Sequence, residues 1–322
     1  MLVSLVYEVA DITSPTKMYH SNYFKTGLKR IVVDGETVSP SNYTGTWQFN
    51  KTGKHVVHLF YSEKRKIVNY EYANCADLVY ANLPETVYEI EDGGFSGCTH
   101  LYSLVLNYPG KVALHETSLS MSHQIWSRSL CQNGSKLKEV KVVEDYVADY
   151  RESCGTTYGA LYIMPIGKSI KKIDWGNIRL NEKINSNGST SFYDFTKPSS
   201  HGYLVPALTD YIEIPSSTTK ISYCSGNLNY YTPYINGAFS IWYLVSYDEN
   251  KQVIGSKRGS FSISAQEVVP YTLPEGTKYI RFDMLWQNID STTFEPYDGW
   301  VRYAHVKDAE TQEIIWPKVT YA

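Results

Sequence analysis

Tyr72-Ala-Asn-Cys75-Ala-Asp-Leu78-Val-Tyr-Ala-Asn-Leu83 is followed by Phe95-Ser-Gly-Cys98-Thr-His-Leu101-Tyr-Ser-Leu-Val-Leu106, and the aromatic, the cysteine and both leucines recur at a constant offset of 23 residues. A period of about 20–29 residues with apolar side chains at fixed places predicts a solenoid, because each unit can bury its apolar face only by stacking on the next. Tyr72, Cys75, Leu78, Leu83, Phe95, Cys98, Leu101 and Leu106 are therefore the expected repeat core. The pattern then decays. Leu130-Cys131 with Leu137–Val142, and Cys154 with Leu161, are candidate third and fourth units in which the cysteine has left its register. Residues 107–130 lengthen one unit by a loop, and Ser169–Trp175 reads as a closing strand. The expected repeat region spans residues 67–184 and is short and irregular.

Upstream, residues 1–66 contain short β-like runs broken by turn chemistry: Val3–Val9, Leu28–Val33, and His55–Tyr61 after Thr52-Gly53. Asp34-Gly35 between Ile31-Val32-Val33 and Glu36-Thr37-Val38 predicts a type I′ hairpin, which needs positive φ at both central positions. A small β-sandwich or β-roll is expected. Downstream, Asn185-Ser-Asn-Gly-Ser-Thr-Ser and Thr196-Lys-Pro-Ser-Ser-His-Gly flank Phe192-Tyr-Asp-Phe195, a linker composition over 185–202. Residues 203–322 read as successive strands, including Tyr211–Ile214, Lys220–Cys224, Ala238–Tyr247, Val253-Ile254, Phe261–Ile263, Tyr279–Met284 and Trp300–Val306. Asp248-Glu-Asn-Lys251 is the expected turn of a hairpin, and the strand spacing suggests a jelly-roll-like β-sandwich. The whole chain is expected to be mainly β, in keeping with its 29 Tyr against 5 Met.

Two resemblances follow from these residues. Leu83-Pro84-Glu-Thr-Val87-Tyr-Glu-Ile90 running into Phe95 and Cys98 resembles the BspA-type leucine-rich repeats of gut and oral bacteria and their phages, which implies a packing role for Cys75 and Cys98. Tyr211-Ile-Glu-Ile-Pro215, Trp242–Gly255 and Leu273-Pro-Glu-Gly-Thr-Lys-Tyr-Ile-Arg-Phe282 are similar to the β-sandwich modules that end phage tail, fibre and receptor-binding proteins. Similar phrases occur in bacterial carbohydrate-binding modules.

Lys plus Arg total 30 and Asp plus Glu 33, so no global basic field exists to hold nucleic acid. No window approaches the roughly 18 consecutive apolar residues of a spanning helix, and Met1–Val9 reads as a strand rather than a secretion signal. Phosphate-cradling loops, a nucleophile elbow and an HExxH helix are missing from the sequence. Five cysteines without a CxxC pair read as reduced, buried thiols. His55 and His58 would point to opposite faces of one strand, poor geometry for a shared metal. His100, His115 and His123 are scattered, and Lys64-Arg65-Lys66 reads as a solvated strand end. Glu91-Asp92, Glu144-Asp145 and Asp248-Glu249 sit in turn-like contexts as hydrated acids. No cofactor is expected.

The aromatic residues carry the functional signal. Tyr230, Tyr231, Tyr234, Trp242 and Trp286 are the candidate ligand-binding residues, because flat rings stack on sugar faces at low entropy cost. The same rings also serve sandwich cores, which is the competing reading for each. The expectation is a non-enzymatic virion component (tail, fibre or capsid decoration), assembled in the host cytoplasm with other virion proteins or with itself as a homo-oligomer, a trimer for example. It would contact a host-surface glycan. The rival readings are a bacterial cell-surface adhesin and a carbohydrate-active enzyme, the latter requiring two acids about 5–9.5 Å apart in a cleft.

Overall fold

The computed structural model describes residues 1–19, 25–91, 93–114, 137–154, 160–192, 204–224, 243–258, 270–287 and 305–322. Strands hold 48% of the described residues and helices 7%, so the fold is mainly β. The chain divides into two compact units, Met1–Tyr150 with Tyr162–Ser169, and Arg151–Leu161 with Ile170–Ala322.

In the first unit, β1 (Leu2–Val9) alternates strictly and turns Val3, Leu5, Tyr7 and Val9 inward, as a strand solvated on one face must. β2 (Thr16–Lys17) precedes β3 (Leu28–Val33) and β4 (Glu36–Val38), which form a hairpin closed by Asp34 and Gly35 at φ 50° and 90°. The expected type I′ turn is present. β5 (Thr46–Trp47) pairs with β2, and β6 (Gly53–Tyr61) lies between β1 and β3.

Beyond β6 the pairing becomes parallel. β7 (Arg65–Ile67), β9 (Val87–Ile90) and β11 (Ala113–Leu114) form one parallel sheet, while β8 (Leu78–Leu83), β10 (Ser103–Leu106), β12 (Glu139–Val142) and β13 (Ile163–Pro165) run parallel in another. The register of β8 on β10 sets Tyr80 against Ser103 and Leu83 against Leu106, the 23-residue offset of the sequence. All eight repeat residues singled out above are at most 1% exposed. Tyr72 stacks on Phe95 at 5.2 Å, and Cys98 Sγ donates to the Tyr72 carbonyl at 3.0 Å. Cys75 and Cys98 are free thiols. Cys131 lies outside the described residues.

A division near residue 66 has no counterpart in the sheet. β1 hydrogen-bonds β6 on one side and β8 on the other, both antiparallel, so one eight-stranded sheet runs β13-β12-β10-β8-β1-β6-β3-β4. The N-terminal strand covers the first edge of the parallel array, where unpaired N–H and C=O groups would otherwise be exposed. α1 (Val147–Cys154) follows β12, and its Tyr150 hydroxyl accepts the Val112 N–H at 2.7 Å.

In chain order the strands of the second unit are β14 (Ile170–Asp174), β15 (Arg179–Leu180), β16 (Glu182–Ile184), β17 (Thr190–Phe192), β18 (Leu204–Leu208), β19 (Ile212–Glu213), β20 (Lys220–Cys224), β21 (Tyr243–Tyr247), β22 (Val253–Arg258), β23 (Tyr271–Thr272), β24 (Tyr279–Gln287), β25 (His305–Asp308), β26 (Ile314–Trp316) and β27 (Lys318–Tyr321). One sheet runs β15-β18-β24-β21-β22 with β19 also on β24, and a second runs β23-β20-β25-β26. Ala207, Ile212, Leu244, Ile280 and Phe282 of the first sheet share a core with Ile221, Val306 and Trp316 of the second. β14 does not close the repeat array: it pairs antiparallel with β27, which places it in the second unit. Within the stretch read as a linker, Thr190–Phe192 pairs back on Glu182–Ile184 as a hairpin, with Gly188 in its turn at φ 79°. A Cβ at Gly188 would strike Val253 and come within 3.0 Å of the Tyr247 hydroxyl.

Candidate functional site

The strand period of two decides what the outer face of the second unit presents. In Tyr243-Leu-Val-Ser-Tyr247, Leu244 enters the shared core, so Tyr243, Val245 and Tyr247 face the other way; in Tyr279-Ile-Arg-Phe-Asp283, Ile280 and Phe282 enter the core and leave Tyr279, Arg281 and Asp283 outward. Val245 sits opposite Arg281 and Tyr247 opposite Tyr279. Ile184, Leu208, Val245 and Tyr247 make a second, smaller apolar cluster on this face, with Tyr211, Tyr243 and Tyr279 packed half-buried around it.

Tyr211 is the hub of this cluster. Its ring meets Tyr247 edge-on at 5.0 Å and Tyr279 edge-on at 5.9 Å, the arrangement that ring quadrupoles favour. Two cations lie on it: Lys251 Nζ is 4.5 Å and the Arg281 guanidinium carbon 4.9 Å from its centroid. Lys251 is delivered by the β21–β22 turn, where it takes φ 60° and where Asp248 Oδ1 accepts the Asn250 and Gln252 N–H groups, both at 2.8 Å. This is the hairpin expected from Asp248–Lys251. Arg281 is 95% buried, since its exposure is 5%, and its Nε donates to the Thr209 carbonyl at 3.2 Å while Nη2 has no hydrogen-bond partner among the described residues.

The carboxylates of this face are occupied elsewhere. Asp283 Oδ2 accepts the Ile184 N–H at 3.0 Å, Glu182 pairs with Arg179 at 3.2 Å, and Glu213 pairs with Lys278 at 2.6 Å. That last contact holds the Glu213 carboxyl below its usual range and the Lys278 ammonium above its own. Burial pushes the Tyr247 hydroxyl well above the ordinary tyrosine range, with the neighbouring Tyr211 adding to it, so Tyr247 stays neutral.

Ionisable groups of the first unit are tied into its packing. His55 is buried with Nδ1 2.6 Å from Asp34 Oδ2 and Nε2 2.9 Å from the Lys51 carbonyl, and its ring stacks on Phe49 at 3.9 Å. His58 faces the opposite side of β6 and bonds Ser4, so the two histidines do not converge. Arg65 is no solvated strand end: Nη2 meets the fully buried Glu71 carboxylate at 2.5 Å, and the guanidinium lies over the Tyr61 ring at 4.2 Å. The sequence reading missed this because Glu71 is distinguished only by its place in the fold. Among the described residues no group of three or more His, Cys, Asp or Glu side chains could hold a metal ion.

Of the aromatic residues singled out from sequence, Tyr230, Tyr231, Tyr234 and Trp242 lie outside the described residues. Trp286 stands in β24 opposite Val205. Tyr211, Tyr247, Tyr279, Lys251 and Arg281 are not among the site residues expected from sequence, although Tyr279-Ile-Arg-Phe-Asp283 carries the signal: charged and aromatic residues share one alternating register with apolar ones on the other. No helix among the described residues is long and apolar enough to cross a membrane. No family model, curated protein or solved structure matches the chain.

Proposed function

We propose that the chain is a non-enzymatic structural and binding component of a phage virion, a tail, fibre or capsid-decoration protein, that contacts a host-surface glycan through its C-terminal sandwich. The reading rests on the half-exposed tyrosine cluster around Tyr211 on the outer face of a β-sheet. A broad, stiff sheet carrying partly exposed rings suits sugar stacking, because few rotatable bonds are lost on contact. The first unit supplies a scaffold: one sheet joins antiparallel strands to the parallel array without a break. Self-association as a trimer and assembly in the host cytoplasm belong to the same proposal.

Two measurements on the purified chain test it. Light scattering gives the mass in solution, and a glycan array reads binding on the same sample. A stable oligomer that binds glycans supports the proposal; a monomer that binds glycans favours the cell-surface adhesin, and absence of any glycan binding removes the receptor-contact part.

A further inference from the structure

We infer that the Tyr211 cluster is a site for an acidic sugar, a pyranose bearing a carboxylate; the inference rests on the glycan-binding reading and narrows it. Lys251 and Arg281 both lie on the Tyr211 ring, at 4.5 and 4.9 Å, and neither forms an ion pair with a carboxylate among the described residues. The acid next to Arg281 on its own strand face, Asp283, is held by the Ile184 N–H. Two like charges around one ring repel each other, and a guanidinium buried to 95% with no contacting carboxylate among the described residues is a costly arrangement. Ring quadrupoles offset only part of that cost. An incoming carboxylate supplies the missing charge.

The geometry also explains why the ligand is a sugar acid rather than a bare anion. Lys251 is exposed, on a flexible four-carbon stem, and can swing from the Tyr211 face while its turn backbone stays fixed by Asp248. The vacated ring offers a sugar its flat face, and the carboxylate then pairs with the exposed Lys251 while the buried Arg281 guanidinium beneath the cluster adds its positive field. The sealed hydroxyl of Tyr247, with no hydrogen-bond partner among the described residues, lies on the edge of the same ring cluster.

The test uses the full chain and paired probes that differ only in charge. Oligogalacturonate is titrated against its methyl ester, and sialyllactose against lactose, by calorimetry at low and high salt, with sodium acetate as a bare-anion control. One acid of a pair should bind, its neutral counterpart should bind roughly 10- to 100-fold more weakly, matching about 1.5–3 kcal/mol for a charge-assisted contact, and salt should weaken the acid. Lys251→Glu, an exposed change that leaves the core intact, should abolish the preference; Lys251→Ala should reduce it. Equal binding of acid and neutral probe overturns the inference and leaves the glycan reading standing. A preference that survives Lys251→Glu places the site elsewhere and overturns it too, as does acetate competing at the same concentration as the sugar. Failure of every acidic probe while neutral glycans bind on the array overturns only the acidic specificity, whereas a blank array removes both readings.

Discussion

Arg65 and Glu71 show what a buried charge costs when its partner is placed by the fold. Burial pushes the Glu71 carboxyl up to about 7 against the opposing pull of Arg65. Its ordinary value is 4.5, so the folded state holds the proton more tightly, and this group's contribution to stability falls as pH rises from 4.5 to about 7. Arg65→Met alone should destabilise by about 3–5 kcal/mol, because it strands the carboxylate, while Arg65→Met with Glu71→Leu should recover most of the loss. Urea denaturation of the single and double variants across this pH window checks both statements, and the double variant should lack the decline. Asp34 has the opposite sign. Partial burial would raise its carboxyl, but hydrogen bonds from His55 and the Val56 N–H outweigh it and hold the value below 3.8. The stabilisation is therefore present above about pH 4 and lost as pH falls through the lowered folded value. Asp34→Asn tolerates the left-handed backbone, so its stability deficit at neutral pH should shrink in acid; a deficit independent of pH would assign the effect to shape.

At the scale of elements, the repeat copies its backbone as well as its side chains. Tyr70 and Asn74 have φ 56° and 57°, and their equivalents one repeat later are Gly93 and Gly97 at 67° and 72°. Glycine takes this conformation without strain, whereas other L-residues are penalised by about 1–2 kcal/mol. A Cβ on Gly97 would also collide with the Asn74 side chain. Gly97→Ala should therefore lower stability by about 1–3 kcal/mol, while Asn74→Gly should be close to neutral. A urea midpoint unchanged by Gly97→Ala would show that the two turns do not stack as described. The repeat register was legible in the sequence for this reason: stacking forces identical positions to do identical work. The third and fourth units were less legible, because β12 and β13 keep the parallel pairing while the cysteine pattern that announced them is lost.

For the whole molecule, a division into two compact units predicts two unfolding transitions. Leu104, in the first unit, and Phe282, in the second, are both fully buried. Leu104→Ala and Phe282→Ala should each cost about 2–5 kcal/mol in their own unit. Calorimetry of the full chain should show a different transition lowered in each variant; a single peak shifted equally by both would mean that the units unfold together.

Sequence by itself determined the mainly β class, the 23-residue register, the Asp34-Gly35 and Asp248–Lys251 turns, and the face each strand residue takes. Those features are local or periodic: a turn needs particular φ values, and a strand alternates whatever lies beside it. Tertiary structure alone decided that β1 bridges antiparallel and parallel strands, that β14 belongs with β27, that Glu71 is sealed against Arg65, and that Tyr211 collects Lys251 and Arg281. Each depends on segments far apart in the chain meeting across a sheet. Pairing choice between distant strands rests on summed packing and hydrogen bonding over many residues, and no short stretch of sequence records that sum.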